Sequence, residues 1–529
     1  FAKISMMTTV IGAVINIITK SANRPFTGNV NARYGNNSGQ KYTVSGGTKQ
    51  NRFSSFTTIS HRRRDTYTIS DDKETERTVI NPDGSITIDK SANSSTIRGY
   101  QIWDASQKFG YAFTDQFSAE IKGTYYRNKR DNATANAKTN DIFSNYSVNG
   151  KLKYLFNVNH RLDLSYIFDS YRKDIDYFVA GYTKKNYDNF VQTARLNYTG
   201  NFNDQHTFTA GLEANLEYLK HYMFKDSTNY NQQSYVLYLQ EDWKISEKIN
   251  LIAGIRTDYH SKYHFHVTPK ISAMYRPVEL LTLRAGYAQG YRTPTLKELY
   301  EEYDMGGLGM FTIHGDKNLK AENSQQFSLS AEINKDIFYA SISGYYNKFK
   351  NKITLAYLDN IENGKNMPDM KYMNSDNAES ISMEAIARVK MDCGLMLQGS
   401  YAYVHEKEEY KGYNLSMTRP HSLTFNASFN RKLGKINTSV SLNGQWSSKL
   451  HTYSYYSVDN TITEYNYSPR TICTLNTSAG FPRGISVGLG IDNLFNYKDK
   501  SADYGIQLPQ QGIGFIGTVS INLADLFRL

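Results

Sequence analysis

The chain has 529 residues, with 61 Lys and Arg against 50 Asp and Glu, 43 Tyr, 10 Pro and 2 Cys. Cys393 and Cys473 are too few for a disulfide framework, and neither has a second Cys or a His at metal-ligand spacing. The net charge of +11 is scattered, without a basic helix or a nucleic-acid-binding motif, so no nucleic acid is expected as a partner; nor does any segment approach the ~18 consecutive apolar residues of a membrane helix.

Residues 1–24 stand apart; from residue 25 onward the composition is uniform, with Tyr, Thr, Ser and Asn crowding short apolar runs that suit pleated strands. Period-two alternation predicts strands from 27–35 to 513–524. In 207–218, Phe208, Ala210, Leu212, Ala214, Leu216 and Tyr218 share one face, while Thr207, Thr209, Glu213, Asn215 and Glu217 share the other. In 281–288, Leu281, Leu283, Ala285 and Tyr287 oppose Thr282, Arg284, Gly286 and Ala288; in 436–446, Ile436, Val440, Leu442 and Trp446 oppose Asn437, Ser439, Ser441, Asn443 and Gln445.

A soluble sandwich also alternates, so the connections decide. One set of joints is tight: 49–51, 112–116, 157–159, 201–204, 246–247, 277–278, 335–336, 391–394, 432–434 and 482–484. The other set is mostly long: 62–98, 130–146, 172–188, 221–231, 291–323, 350–379, 409–419, 449–469 and 495–512, with 36–40 and 263–264 the short exceptions. Short turns on one rim and long loops on the other predict an all-β fold, a transmembrane antiparallel barrel of about 22 strands with periplasmic turns and extracellular loops. Closure would also remove the edge-strand hazard, and a barrel of that size needs a plug.

Five ordered motifs then carry a family resemblance. Ile11-Gly12-Ala13-Val14-Ile15-Asn16-Ile17-Ile18-Thr19-Lys20 resembles the last plug strand of TonB-dependent outer-membrane receptors, with Ala13 where the family usually has Gly. Thr268-Pro269-Lys270-Ile271-Ser272 resembles the family's Pro-Lys-hydrophobic-Ser strand, Tyr291-Arg292-Thr293-Pro294 its Tyr-Arg-Ala-Pro box, Asn318-Leu319-Lys320-Ala321-Glu322 its Asn-Leu-Lys-Pro-Glu box, and Asn493-Leu494-Phe495-Asn496 the entry to its last loop. The resemblance implies residues 1–24 as the C-terminal remnant of the plug and 25–529 as the barrel, with the TonB-engaging part of the plug outside this sequence. It implies a multi-pass protein of a Gram-negative outer membrane. Its partners would be the TonB complex, outer-membrane lipids and lipopolysaccharide, and in some cases a surface lipoprotein. No cofactor is bound permanently; haem or a ferric chelate is the transported ligand.

In the haem-receptor branch a histidine between the two boxes ligates haem iron, and His314 occupies that place, flanked by Tyr291, Arg292 and Pro294 on one side and Asn318 and Leu319 on the other. Neutral imidazole suits haem iron; the alternative is a solvated loop histidine. Haem is therefore the first expectation, a ferric siderophore or cobalamin the second, and a passive or structural barrel the third. His264 and His266 share a face if extended and could hold a transition metal or merely cap a tight loop. On the strand map, eight histidines including His61, His221 and His314 fall at the long-loop end, and His160, His206 and His421 at the other. His61-Arg62-Arg63-Arg64 could attract ligand carboxylates or form a basic rim against lipopolysaccharide. Tyr300, Tyr303, Tyr453, Tyr455, Tyr456, Tyr465 and Tyr467 could stack on any flat ligand or form an interfacial girdle. No nucleophile elbow, zinc-protease pair or phosphate loop occurs, and Gly306-Gly307-Leu308-Gly309 reads as a loop hinge, so no enzyme is expected.

Overall fold

The computed structural model describes residues 20–80, 86–132, 138–225, 228–305, 311–358, 368–375, 378–407, 409–410, 413–414, 416–456, 461–498 and 511–528. The motif at 11–19 and the glycines at 306–309 lie outside them.

Strands β1 (Thr27–Gly35), β2 (Gly39–Gln50) and β3 (Phe53–Arg64) open the wall. A hairpin of β4 (Tyr67–Ile80) and β5 (Ile86–Ile97) leaves it. The wall resumes with β6 (Tyr100–Ala112), β7 (Phe117–Asp131), β8 (Asn140–Leu155), β9 (His160–Tyr177), β10 (Tyr182–Asn201) and β11 (His206–His221). It continues through β12 (Asn229–Lys244), β13 (Ile249–His260), β14 (His264–Val278) and β15 (Leu281–Arg292). Helix α1 (Leu296–Tyr300) and short strands β16 (Glu302–Asp304) and β17 (Thr312–His314) precede wall strands β18 (Glu322–Lys335) and β19 (Phe338–Lys350). Loop strands β20 (Lys352–Tyr357) and β21 (Met370–Ser375) precede β22 (Ala378–Lys390) and β23 (Leu395–Lys407). The two-residue β24 (Glu409–Tyr410) and β25 (Tyr413–Asn414) come before β26 (His421–Leu433) and β27 (Ile436–Ser447). A second hairpin, β28 (Leu450–Tyr456) with β29 (Thr461–Tyr467), comes before β30 (Arg470–Phe481), β31 (Ile485–Asp492), β32 (Gly514–Asn522) and α2 (Leu523–Phe527).

The wall is one 22-stranded antiparallel sheet. It closes because β1 pairs with β2 on one side and β32 on the other, which leaves no edge. The faces are inverted relative to a soluble protein. Leu329 and Leu489 are 68% and 65% exposed on the outside, while Asp163, Glu213, Arg256 and Asp258 are buried. Apolar outside and polar inside is the pattern a bilayer selects and the one a sandwich core forbids.

Every predicted strand falls on a wall strand. The expected joints 130–146 and 172–188 are mostly strand, since β8 begins at Asn140, β9 runs to Tyr177 and β10 begins at Tyr182. Above the apolar belt the outward positions become polar, as at Arg172 and Asp188, so the hydrophobic period ends while the hydrogen-bonded ladder continues. His421 opens β26 after the long joint and pairs with Tyr403. It therefore sits on the long-loop rim, a correction to the sequence map.

Four of the tight turns share one device. Thr114 Oγ1 accepts from the amides of Gln116 and Phe117, and Asn157 Oδ1 from those of Asn159 and His160. Asn203 Oδ1 does so for Gln205 and His206, and Ser246 Oγ for Lys248 and Ile249. Side chains that satisfy the backbone locally are what these residue types offer in turns. At another tight turn Gly394 has φ +96°, and a Cβ there would lie 2.2 Å from the Asn430 carbonyl oxygen. Gly394→Ala is expected to cost about 1–3 kcal/mol, read as a lower temperature for loss of the compact barrel band on semi-native gels.

Inside, Lys20–Arg24 enter the barrel base. Ser21 Oγ accepts from Lys108 Nζ at 2.9 Å, Ala22 is buried, and Lys49 donates its amide to the Arg24 carbonyl.

Candidate ligand site at the barrel mouth

On the long-loop rim, the segments 293–305, 311–321, 351–358 and 368–375 fuse into one platform. Thr295 caps α1: its Oγ1 accepts from the Glu298 amide at 3.2 Å while Glu298 Oε2 accepts from the Thr295 amide at 2.7 Å, the reciprocal arrangement expected of Thr-x-x-Glu. Leu296 packs into Leu219 of the wall and Phe224 of the loop after β11, and Leu299 packs on Leu319 and Ile353. The strands β16, β17, β21 and β20 form a four-stranded sheet in that order, with β17 and β21 parallel.

Arg292 lies at the root of the platform. Its Nε and Nη2 donate to the two Glu322 carboxylate oxygens at 2.9 and 2.7 Å, and its Nη1 and Nη2 donate to Glu298 at 2.9 and 3.1 Å. Glu322 Oε1 also accepts from the Ile353 amide at 2.6 Å. The two family boxes are thus tied to each other, and the tie fixes both loops. Pro294 and Leu319 are buried beneath the platform. Asn318 is exposed, with its amide donated to Asp316, and Tyr291 is buried against His266, the rings stacked at 4.4 Å. These five residues were expected to flank the ligand loop; Tyr291, Arg292, Pro294 and Leu319 pack or tie the root of the platform, and the Asn318 amide closes a turn on Asp316.

His314 is engaged on both ring nitrogens. Nδ1 is 3.0 Å from Glu302 Oε2, and Nε2 is 3.0 Å from Asp369 Oδ2. Asp369 is buried and also accepts from the Thr312 amide at 2.6 Å. Burial works against the imidazolium, but hydrogen bonds and charge from Asp369 and Glu302 outweigh it and raise the pKa above the ordinary 6.5. Two acceptor-only carboxylates favour a donor at each nitrogen, so the protonated ring offers no lone pair to a metal ion. The clasp holds β16, β17 and the approach to β21 together. Because the folded pKa is raised, its contribution is complete below the unfolded value and disappears as pH rises through the folded one. Amide protection relative to the intrinsic exchange rate across 302–305, 312–314 and 369–371 is therefore expected to fall as pH rises above the ordinary 6.5, and His314→Gln should flatten that profile.

His264 and His266 are not brought to a common ligand. His264 sits at φ +56° in the turn, its ring 6.3 Å from that of Tyr259, whereas His266 stacks on Tyr291 and places Nε2 3.1 Å from the Tyr263 carbonyl. Among the described residues no group of three or more His, Cys, Asp or Glu could hold a metal ion.

The feature the sequence reading missed is a lateral row inside the mouth. Cross-strand register aligns Arg62, Ile102, Asn128, Phe143, Lys173, Tyr187 and His221 from β3 to β11. One step higher, Arg64, Tyr100 and Arg130 are direct neighbours on β3, β6 and β7. The Arg64 guanidinium lies 5.0 Å from the Tyr100 ring centre and 5.4 Å from that of Tyr67. Arg130 and Lys173 lie 5.5 and 5.4 Å from the Phe143 ring, and Phe143 stacks on Tyr171. Arg62 pairs with Asp104 and Lys173 with Asp141, but among the described residues no carboxylate pairs with Arg64 or Arg130, and Arg64 Nε is buried without a hydrogen-bond partner. The aromatic lining continues through Tyr187, His221, Tyr222 and Tyr303 to the platform. Alternation in 53–64 and 100–131 was a sufficient signal for which side chains point inward; their lateral alignment was not readable.

A protein-family model described as "TonB dependent receptor-like, beta-barrel" matches residues 19–494. This chain belongs to that family. The receptor is 25% identical over 253 residues to the iron-regulated outer membrane virulence protein of Vibrio cholerae, covering 45% of this chain and 38% of the relative. To the ferric enterobactin receptor of Pseudomonas aeruginosa it is 24% identical over 286 residues, 51% of this chain and 38% of the relative. The receptor thus aligns with less than half the length of these relatives. A crystal structure of a point mutant of the Pseudomonas aeruginosa enterobactin receptor shares the fold at TM-score 0.77 and 17% identity, covering 97% of this chain and 82% of the other. The copper transporter OprC does so at TM-score 0.72 and 14% identity, covering 95% and 81%. The receptor is a multi-pass protein of the Gram-negative outer membrane, not an enzyme, with its long-loop rim outside.

Proposed function

We propose that this receptor imports a ferric siderophore of the catecholate class, with energy delivered by the TonB complex through a plug domain. The observation that carries this is the inward row at the mouth, where Arg64 and Arg130 flank Tyr100 and have no carboxylate of their own among the described residues. A ferric triscatecholate keeps more negative charge than its iron neutralises and presents flat aromatic faces. Guanidinium groups held on aromatic rings suit both properties, through charge-assisted hydrogen bonds and stacking. The relatives named for ferric enterobactin support the same reading. The catecholate reading is favoured over haem by the contacts of both His314 nitrogens with carboxylates at 3.0 Å.

The test is titration of the purified receptor with a ferric triscatecholate, a ferric trihydroxamate and haem, followed by tyrosine and tryptophan fluorescence and by the haem absorption band. The expected order places the triscatecholate tightest, with His314→Ala leaving it unaltered. A haem band shift lost in His314→Ala, or a preference for the hydroxamate, would overturn the proposal.

A further inference from the structure

The luminal wall differs from one side to the other. From β10 to β18 its inward side chains include charges paired among themselves: Arg195 with Glu213 at 2.5 Å, Arg256 with Asp258 at 2.6 Å and Arg284 with Glu332 at 2.9 Å. Across the closed sheet, β26, β27, β30, β31 and β32 present another surface. Their outward positions are apolar and exposed, as at Leu423, Val440, Leu489 and Val519, so parity turns the intervening residues inward.

Register sets those residues in rows. One reads Asn430, Ser439, Ser478, Gly488 and Thr518. The row above it is Ser428, Ser441, Asn476, Gly490 and Ile516. Two more rows, up to Thr424, Gln445 and Ile472, repeat the pattern. Over this height, roughly 20 Å along the strands, no inward residue of the sector is ionisable; Lys432 lies below, and Arg470 and Asp492 lie above. A concavity of about 430 Å³ opens at the lower end, between Asn430, Lys432, Asn437, Ser439, Ser478 and Ser486. Hydrogen-bonding capacity is left over. Ser428 is 7% exposed and its Oγ has no partner; Asn426 donates to Asn443 Oδ1 at 2.6 Å, but its own Oδ1 accepts from no group. Lys20–Arg24 enters the barrel outside this sector, against β2 and β6.

We propose, on the reading that the receptor imports an anionic chelate, that the chelate descends along this uncharged sector from the mouth to the periplasmic rim. A fixed carboxylate would repel such a solute and an unpaired cation would hold it, whereas passage needs contacts weak and repeated enough to release it. Hydroxyl and amide groups in successive rows supply such contacts. Small side chains at Ser441, Ser478, Gly488 and Gly490 also keep the wall thin, which leaves width for a ligand as broad as three catechols.

The test is uptake of radioactive iron, presented as a ferric triscatecholate, by energised cells carrying the receptor, with binding to de-energised cells measured beside it. Ser441 and Asn476 are direct cross-strand neighbours in the sector, as Thr193 and Asn215 are on β10 and β11. Ser441→Glu/Asn476→Asp should bind the chelate at the parental level, which shows a folded barrel, and take up iron at least ~10-fold more slowly, because fixed charge in a confined passage excludes a solute of the same sign. Ser441→Gln/Asn476→Gln, of similar bulk without charge, should recover most of the rate. Thr193→Glu/Asn215→Asp, the same charges on the ion-paired side, should transport as the parent does. Unaltered uptake in Ser441→Glu/Asn476→Asp, or as large a fall in either of the other pairs, would overturn the path and leave the choice of ligand standing. A parent that takes up no triscatecholate would overturn the ligand reading and the path with it.

Discussion

Arg64→Ala/Arg130→Ala is expected to weaken binding of a ferric triscatecholate by roughly 100-fold or more, since each guanidinium removed takes with it a charge-assisted contact of about 1.5–3 kcal/mol. Neither residue has a carboxylate partner among those described, so no acidic group is left stranded, and the barrel should unfold at the parental temperature. Arg64→Lys/Arg130→Lys should recover only part of the affinity, because an ammonium keeps the charge but loses the planar stacking fork. The measurement is equilibrium titration at low and high salt. The parent's affinity should fall with salt and the alanine variant's should hardly change, because screening acts on the charge term. Unchanged affinity in the double variant would remove the mouth row from ligand recognition.

The second large effect belongs to Arg292. Arg292→Ala leaves Glu298 and Glu322, with side chains 15% and 8% exposed, facing each other without the cation that joined them. Breaking a buried pair in this way costs about 3–5 kcal/mol; Arg292 is itself 36% exposed, which brings the expectation to about 2–3 kcal/mol after solvent screening. The loss should be local. The four-stranded platform and α1 should gain amide exchange and protease sensitivity, while the wall ladder stays protected. Arg292→Lys should fall between the two, since one ammonium cannot span both carboxylates. Uniform loosening of the whole barrel would show that the clamp acts on the wall instead of the loops.

How much was readable beforehand differs by layer. The wall strands were legible because a bilayer imposes opposite polarity on alternate residues, as in 207–218, and because turn chemistry marks the tight ends. The loop strands were not. In β16, β17, β20 and β21 no bilayer enforces a period, and the parallel pairing of Ile313 with Met370 joins segments whose proximity no local pattern records. The boxes at 291–294 and 318–322 were recognisable as motifs, yet their work as a clamp depends on the Arg292–Glu322 register. His314 shows the limit most clearly. Its place between the boxes suggested a free imidazole, and Asp369, 55 residues away, turns it into a clasp.

By itself the sequence determined the barrel, its strand number, its direction across the membrane and its family, since each follows from local alternation, turn residues or motif order. Only the tertiary structure decided which cations share a row, which histidine nitrogens are free and which members of His61-Arg62-Arg63-Arg64 line the mouth. The reason is that lateral register couples residues through hydrogen bonds between strands far apart in the chain, and such couplings leave no periodic trace along it.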